Sequence, residues 1–151
     1  MTAWRIVLDS AVDAAFSGIG ARDYPGRWNQ RGVPVVYAAE ALSLAALEVA
    51  AHFRSRTPRL SFVSFEIRVP GGIDVRTLDP DRLPNDWRQE PPPSSTQELG
   101  TRLIRNAAVL RVPSAIVPVE RNLVLNPNHP QFPKIRIFDP EPFVFDSRMW
   151  K

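Results

Sequence analysis

The sequence predicts an α+β domain built on a mainly antiparallel or mixed sheet. Three observations lead there. Sixteen prolines, grouped at 91–93 and between 113 and 142, forbid a helix-rich bundle but suit short strands joined by tight loops. Leu60 to Val69 alternates apolar and polar residues with period two, the mark of a half-buried strand. An Ala/Leu-rich stretch repeats its apolar residues at spacings of three and four without Gly or Pro, the mark of a helix. Strands and helices then follow one another irregularly, which argues against a regular α/β repeat.

Taken in order, Trp4 to Leu8 reads as a first strand with Arg5 as its polar exception. Residues 9–25 hold Gly18, Gly20 and Pro25 and read as loop, with a helical turn around Val12 to Phe16. Val35 to Ala38 is a second strand. The helix that follows carries Leu44, Leu47, Ala51 and Ala41, Ala45, Val49, Phe53 on its apolar stripe, with Ser43 as a cap if it starts late. Pro70-Gly71-Gly72 ends the strand from Leu60. Residues 73–95, with Pro84, Trp87 and Pro91–Pro93, form a long irregular surface excursion. A second helix opens at Ser94, where Ser95 and Glu98 stand at capping-box spacing, and runs to about Ala108. Val109 to Val112 and Ala115 to Val119 are short apolar runs around Pro113-Ser114. Lys134 to Phe138 and Pro142 to Phe145 are closing strands. No repeat or boundary divides the chain, so 1–151 is one domain.

Composition narrows the function classes. Hydrophobic residues make up 44% and charged ones 23%, as in ordinary globular proteins. There is no cysteine, which removes disulfides and thiolate metal sites and fits a cytoplasmic protein. No run has membrane-spanning length, and the N-terminus lacks signal-peptide features. The net charge of +3 is too mild, and too interleaved with acids, to argue nucleic-acid binding. Arg dominates the basic residues, with Lys134 and Lys151 the only lysines, which favours carboxylate and phosphate recognition.

Glu48 is the anomalous residue of the first helix. Its neighbours three and four positions away are Leu44, Ala45, Ala51 and His52, so no intrahelical cation accounts for it. A carboxylate beside an apolar face needs a partner from elsewhere in the fold or a ligand, unless its head simply reaches water. Upstream, Arg27, Trp28 and Asn29 follow Gly26. A guanidinium beside an indole suits a phosphate next to a planar ring, or equally a packed surface arginine, and Arg22 and Arg31 add charge nearby. Tyr37 either stacks on a ligand ring or is a core aromatic. Ser114 sits in an apolar stretch and needs a hydrogen-bond partner. No G-x-S-x-G surrounds it, and no P-loop, G-x-G-x-x-G or metal-ligand spacing occurs anywhere. Asn122, Asn126 and Asn128 read as turn formers and His129 as structural.

Four segments together carry a resemblance: G-R-W-N-Q-R-G-V-P-V-V-Y-A-A-E over 26–40, L-A-A-L-E-V-A-A-H over 44–52, V-P-S-A-I-V-P over 112–118, and N-L-V-L-N-P-N-H-P over 122–130. They resemble the RES-domain toxins of bacterial Xre–RES toxin–antitoxin pairs, a family named for an Arg, a Glu and a Ser that match Arg27, Glu48 and Ser114. The resemblance implies an ADP-ribosyltransferase-like mixed sheet with flanking helices. It implies NAD as substrate, no prosthetic group or metal, and cleavage of the nicotinamide–ribose bond by hydrolysis or phosphorolysis, or transfer of ADP-ribose to a protein. It also implies a helix-turn-helix antitoxin of the Xre type that covers the site. In that setting Glu48 stabilises the ribosyl cation, Arg27 clamps the pyrophosphate, Ser114 holds ligand or Glu48, and Tyr37 stacks on nicotinamide. Trp28, Asn126 and His129 are further substrate-binding candidates. The competing expectation is a non-catalytic module that binds protein through the proline-rich segment 84–93 and Arg88.

Overall fold

The computed structural model describes residues 1–53 and 60–150. The elements are β1 (Thr2–Leu8), α1 (Ile19–Asp23), β2 (Val36–Ala39), α2 (Leu42–His52), β3 (Phe62–Arg68), β4 (Val75–Thr77), α3 (Ser94–Ile104), β5 (Val109–Pro113), β6 (Arg121–Leu125), β7 (Arg136–Ile137) and β8 (Glu141–Phe143), with short 3-10 turns between them. The α+β expectation holds. The strands form one sheet in the order β4-β5-β6-β2-β1-β3-β7, and β8 pairs with β3. Every pairing is antiparallel except β4 with β5, so the sheet is mixed.

The middle of the sheet is covered on both faces. Along β6, Leu123 and Leu125 join one core with Val36, Ala38, Ile67 and Val109, while Val124 faces the other way with Trp28, Leu110, Val112 and Ile104. That alternation is the period-two geometry of a strand buried on both sides. Helix α2 packs on β1 and β2 through Leu44, Ala45 and Ala46 against Ile6, Ala39 and Phe62. Leu47 and Ala51, expected on its buried stripe, are exposed instead. The helix turns Glu48 toward β5 and β6, while Ser43, Leu47, Ala51 and His52 face solvent.

Several local expectations are corrected. Ser43 does not cap α2; the cap residue is Ala41, with no side-chain bond. What fixes the start of α2 is Glu40, which takes a two-pronged ion pair from Arg111 on β5, with Nη2–Oε2 at 2.9 Å. The Ser95–Glu98 box does not form either: α3 starts after Pro93, and the Ser95 hydroxyl is buried without a described partner. Asn126 ends that helix early by donating to the carbonyls of Ile104 and Ala107. Residues 73–95 contain β4, a strand too short to show periodicity, and residues 9–25 contain α1. Asn122, read as a turn former, lies in strand β6, between β5 and β2 in the sheet.

Strands β1 and β2 share a register pair at Trp4 and Ala39 only, whereas β1 and β3 pair along their whole length. On the Tyr37 side of that pair the two strands part, and Arg5 fills the gap. Its Nη1 donates to the Tyr37 carbonyl at 2.7 Å and its Nε to the Ala15 carbonyl at 2.9 Å. Buried backbone carbonyls that lose a ladder partner need such a substitute. Burial lowers the Arg5 pKa to about 10, which leaves it charged at neutral pH.

Helix α3 holds the 26–30 loop in place. Gly100 meets that loop so closely that a Cβ would lie 2.0 Å from the Trp28 carbonyl oxygen. Thr101 Oγ1 accepts from the Gln30 N–H at 2.9 Å, and Gln97 Nε2 donates to the Gly26 carbonyl at 2.9 Å. Gly100→Ala is expected to cost about 1–3 kcal/mol or more, because backbone rather than a flexible side chain must move. Gly20→Ala, with nothing near its Cβ, is the control and is expected to be near neutral. Urea unfolding of the two variants checks this.

Candidate functional site

Glu48 is half-buried and finds its partners on two other elements. The Ser114 hydroxyl, just past the end of β5, donates to its Oε1 at 2.9 Å, and Asn122 Nδ2 at the start of β6 donates to the same oxygen at 2.7 Å. Oε2 receives no bond from a described group. One oxygen is therefore fixed and the other is left to act. Hydrogen bonds to a charged acceptor contribute about 1.5–3 kcal/mol each, enough to hold one orientation. Ser114 is fully buried, and its Oγ also accepts the N–H groups of Ile116 and Val117, both at 3.1 Å. That hydroxyl closes the turn after β5 and aims its one proton at Glu48.

Asn122 is the residue that sequence reasoning missed. It was read as a turn former, yet it opens β6 opposite Val112 and Ala39. Its Oδ1 is buried and meets no described donor, and the bond from Nδ2 to a carboxylate fixes which way the amide points. The available signal was its spacing: two residues before Val124, it shares that strand face, which looks toward α2 and the 26–30 loop.

Tyr37 is an organiser of the loop. Its hydroxyl donates to Asn29 Oδ1 at 2.7 Å and accepts from the Trp28 N–H at 3.0 Å. Gly26 must lack a side chain, because a Cβ would lie 2.8 Å from the Tyr37 ring. Asn29 is fully buried and saturated: Oδ1 also takes the Gly26 N–H, and Nδ2 donates to the carbonyls of Ala21, Gln30 and Val33. Burial pushes the Tyr37 phenol well above its ordinary range, against the smaller opposing pull of the Trp28 N–H and the Arg27 charge.

The structure separates the remaining candidates. Trp28 is 2% exposed and packs in the core with Val35, Ile104 and Trp87, so its ring is not open to a ligand. Arg27 is bound by the chain itself. Nη1 donates to the carbonyls of Trp87 and Gln89 at 2.7 and 2.6 Å, and Nη2 pairs with Glu90 at 3.0 Å. Asn126 and His129 lie at the far end of β6, about 13 Å of strand from Asn122. There they line a surface cleft of about 320 Å³ with Gly32, Pro34 and Arg105. A second cleft sits at Met1, Arg68, Lys134 and Arg136. Neither contains Glu48, so the hydrogen-bonded constellation, not concavity, marks the site. Among the described residues no group of acids and histidines is placed to hold a metal ion, and no helix is long and apolar enough to cross a membrane.

The RES domain family matches residues 2–146. The chain belongs to the RES-domain family. It is 39% identical over 155 residues to a Toxin Res of Photorhabdus laumondii, covering all of this chain and 98% of that one. It is 35% identical over 152 residues to a Toxin Res of Yersinia enterocolitica, covering 99% of each. It is 37% identical over 152 residues to a Prs ADP-ribosylating toxin of Sphingobium, covering 97% of this chain and 94% of that one. The fold matches a chain of the M. tuberculosis MbcT–MbcA toxin–antitoxin complex with a TM-score of 0.76 and 21% identity, covering 95% of this chain and 84% of that one. This RES-domain chain thus has the α+β fold expected of it.

Two predictions follow from the RES site's geometry. Ser114→Ala removes one donor from Glu48 and strands the Ile116 and Val117 N–H groups, and is expected to cost about 1–3 kcal/mol in denaturant unfolding. For Tyr37, the unfolded phenol ionises near pH 10 while the folded one resists, so the unfolded state loses its proton first. The stabilisation is full below about pH 10 and is lost as pH rises beyond it. Between pH 8 and 11 the wild type should therefore lose more stability than Tyr37→Phe. Arg5 works in the opposite sense but is present in both proteins, so it drops out of the comparison.

Proposed function

We propose that this protein is a toxin enzyme that consumes NAD by breaking the nicotinamide–ribose bond, and that Glu48 stabilises the charge that develops on the ribose. The observation that carries the reading is the fixed Oε1 and open Oε2 of Glu48. Cleavage of this bond passes through an oxocarbenium-like state, as in glycoside hydrolysis. Nicotinamide leaves neutral from a cationic ground state, so no strong general acid is required. What the reaction needs is negative charge, already oriented, beside the anomeric carbon. Ser114 and Asn122 supply that orientation from the sheet, and α2 supplies rigidity.

In this reading Ser114 is a positioning residue that acts through Glu48. Tyr37 and Asn29 shape the 26–30 loop that walls the site, and Arg27 fastens the 87–90 segment to it. The Sphingobium relative's description as an ADP-ribosylating toxin favours a protein side chain as one acceptor of the ribosyl group, beside water and phosphate. Mass spectrometry of products formed with and without phosphate and cell extract tells the three apart. The proposed partner is an antitoxin that covers the site, of the Xre helix-turn-helix type, landing an acidic side chain or its C-terminal carboxylate on the arginine-bearing loop 22–31, where Arg31 is exposed.

Glu48→Gln keeps the size of the side chain and removes its charge. It is expected to lower the rate of nicotinamide release about a hundred- to thousandfold while leaving NAD affinity nearly unchanged. In a bacterial host the wild type should arrest growth and deplete NAD, and the variant should be tolerated at equal protein level. A variant that remains toxic and still consumes NAD removes Glu48 from the mechanism. A wild type that neither binds nor cleaves NAD leaves the module reading through 84–93 standing.

A further inference from the structure

Residues 86–90 form a strap held from two sides. Trp87 and Gln89 give their carbonyls, and Glu90 its carboxylate, to Arg27. Arg88 lies between them in sequence and binds elsewhere. Its Nε and Nη2 donate to the Ala115 carbonyl at 3.1 and 2.9 Å. Ala115 directly follows Ser114, whose hydroxyl holds Glu48. The strap therefore joins the 26–30 loop to the turn that carries the site, and brings a guanidinium beside that turn.

The surrounding arginines differ in what neutralises them. Arg22 pairs with Asp23, Arg27 with Glu90, and Arg111 with Glu40. Arg121 has no described carboxylate partner, but alternation along β6 puts it on the sheet face opposite Asn122, and its Nη1 is spent on the Pro118 and Glu120 carbonyls. Arg88 is exposed, meets no carboxylate among the described residues, and has only two of its five N–H donors engaged by them.

We propose that Arg88, rather than Arg27, is the cation that receives the diphosphate of the dinucleotide substrate, with Arg27 as the clip that orients the strap. The proposal rests on the NAD reading of the Glu48 site. In NAD the diphosphate is one ribose away from the bond that breaks, so its receptor must lie next to the Glu48 constellation, where the Ala115 tether places Arg88. A guanidinium with free N–H groups matches phosphate oxygens directly. Arg27 by contrast has three of its five N–H donors engaged by the strap and its charge already met by the Glu90 carboxylate, so a diphosphate would have to compete with Glu90 for it.

The test uses two probes on the purified protein: ADP-ribose, which carries the diphosphate without the scissile bond, and nicotinamide, which carries no phosphate. In Arg88→Gln, ADP-ribose affinity is expected to fall about tenfold or more. Nicotinamide affinity should hold, and the KM for NAD should rise in step with little change in kcat. Arg88→Lys should recover part of the loss, and the melting temperature should stay near wild type because the side chain is exposed. Unchanged ADP-ribose affinity in an Arg88→Gln enzyme that still cleaves NAD overturns the proposal and leaves the function standing. A folded Arg27→Gln variant that alone loses ADP-ribose returns the clamp to Arg27 and likewise overturns it. A wild type that neither binds ADP-ribose nor cleaves NAD overturns the functional reading and the proposal together.

Discussion

A single carboxylate oxygen ties the molecule together. Glu48 projects from α2, Ser114 stands beyond β5, and Asn122 opens β6, yet all three meet at Oε1. The meeting sets the position of α2 over the sheet, the shape of the turn after β5, and the direction in which the second carboxylate oxygen points. A half-buried charge with two donors on one oxygen is stable in place and still incomplete, because its other oxygen needs solvent or a ligand. The same bonds therefore serve the fold and prepare the site.

The second constraint is the 26–30 loop, built with almost no slack. Asn29 saturates its amide within the loop and the preceding helix, Tyr37 reaches up from β2, and α3 closes on the other side at Gly100. Arg27 is then presented to the excursion at 87–90, where two carbonyls and a carboxylate await it. Trp28 and Trp87 pack against each other beneath, with ring centroids 6.1 Å apart. Arg27, Trp28 and Tyr37, read as candidate ligand groups, are thereby engaged by the chain itself, and the excursion, read as surface loop, is fastened to the 26–30 loop.

Arg5 shows how the sheet accommodates this. Strands β1 and β2 diverge on the Tyr37 side of the Trp4–Ala39 pair, and a charged side chain bonds the Tyr37 carbonyl there while reaching the Ala15 carbonyl after the first 3-10 turn. A strand residue read as a polar exception is the element that lets the sheet open next to the Glu48 helix. On the far side of β2, β6 pairs along the strand and carries Asn122 into the site.

The sequence by itself determined the strand β3, the helix α2 and the mixed α+β class, and it singled out Glu48 and Ser114 as polar groups in need of a partner, which the fold makes of each other. Each of these rests on local periodicity, or on a polar group standing where its neighbours are apolar. Those signals are written into consecutive residues and survive without tertiary context. Only the tertiary structure decided what Arg27, Trp28, Tyr37, Asn122, Asn126 and Arg88 do. Each has a partner 9 to 74 positions away in the chain or an environment made by several elements at once. A guanidinium carries the same charge whether it faces solvent, its own backbone or a ligand. An asparagine favours turns until a strand partner and a carboxylate claim it. Which of these occurs depends on which distant groups the fold brings within hydrogen-bond reach, and no local pattern encodes that distance.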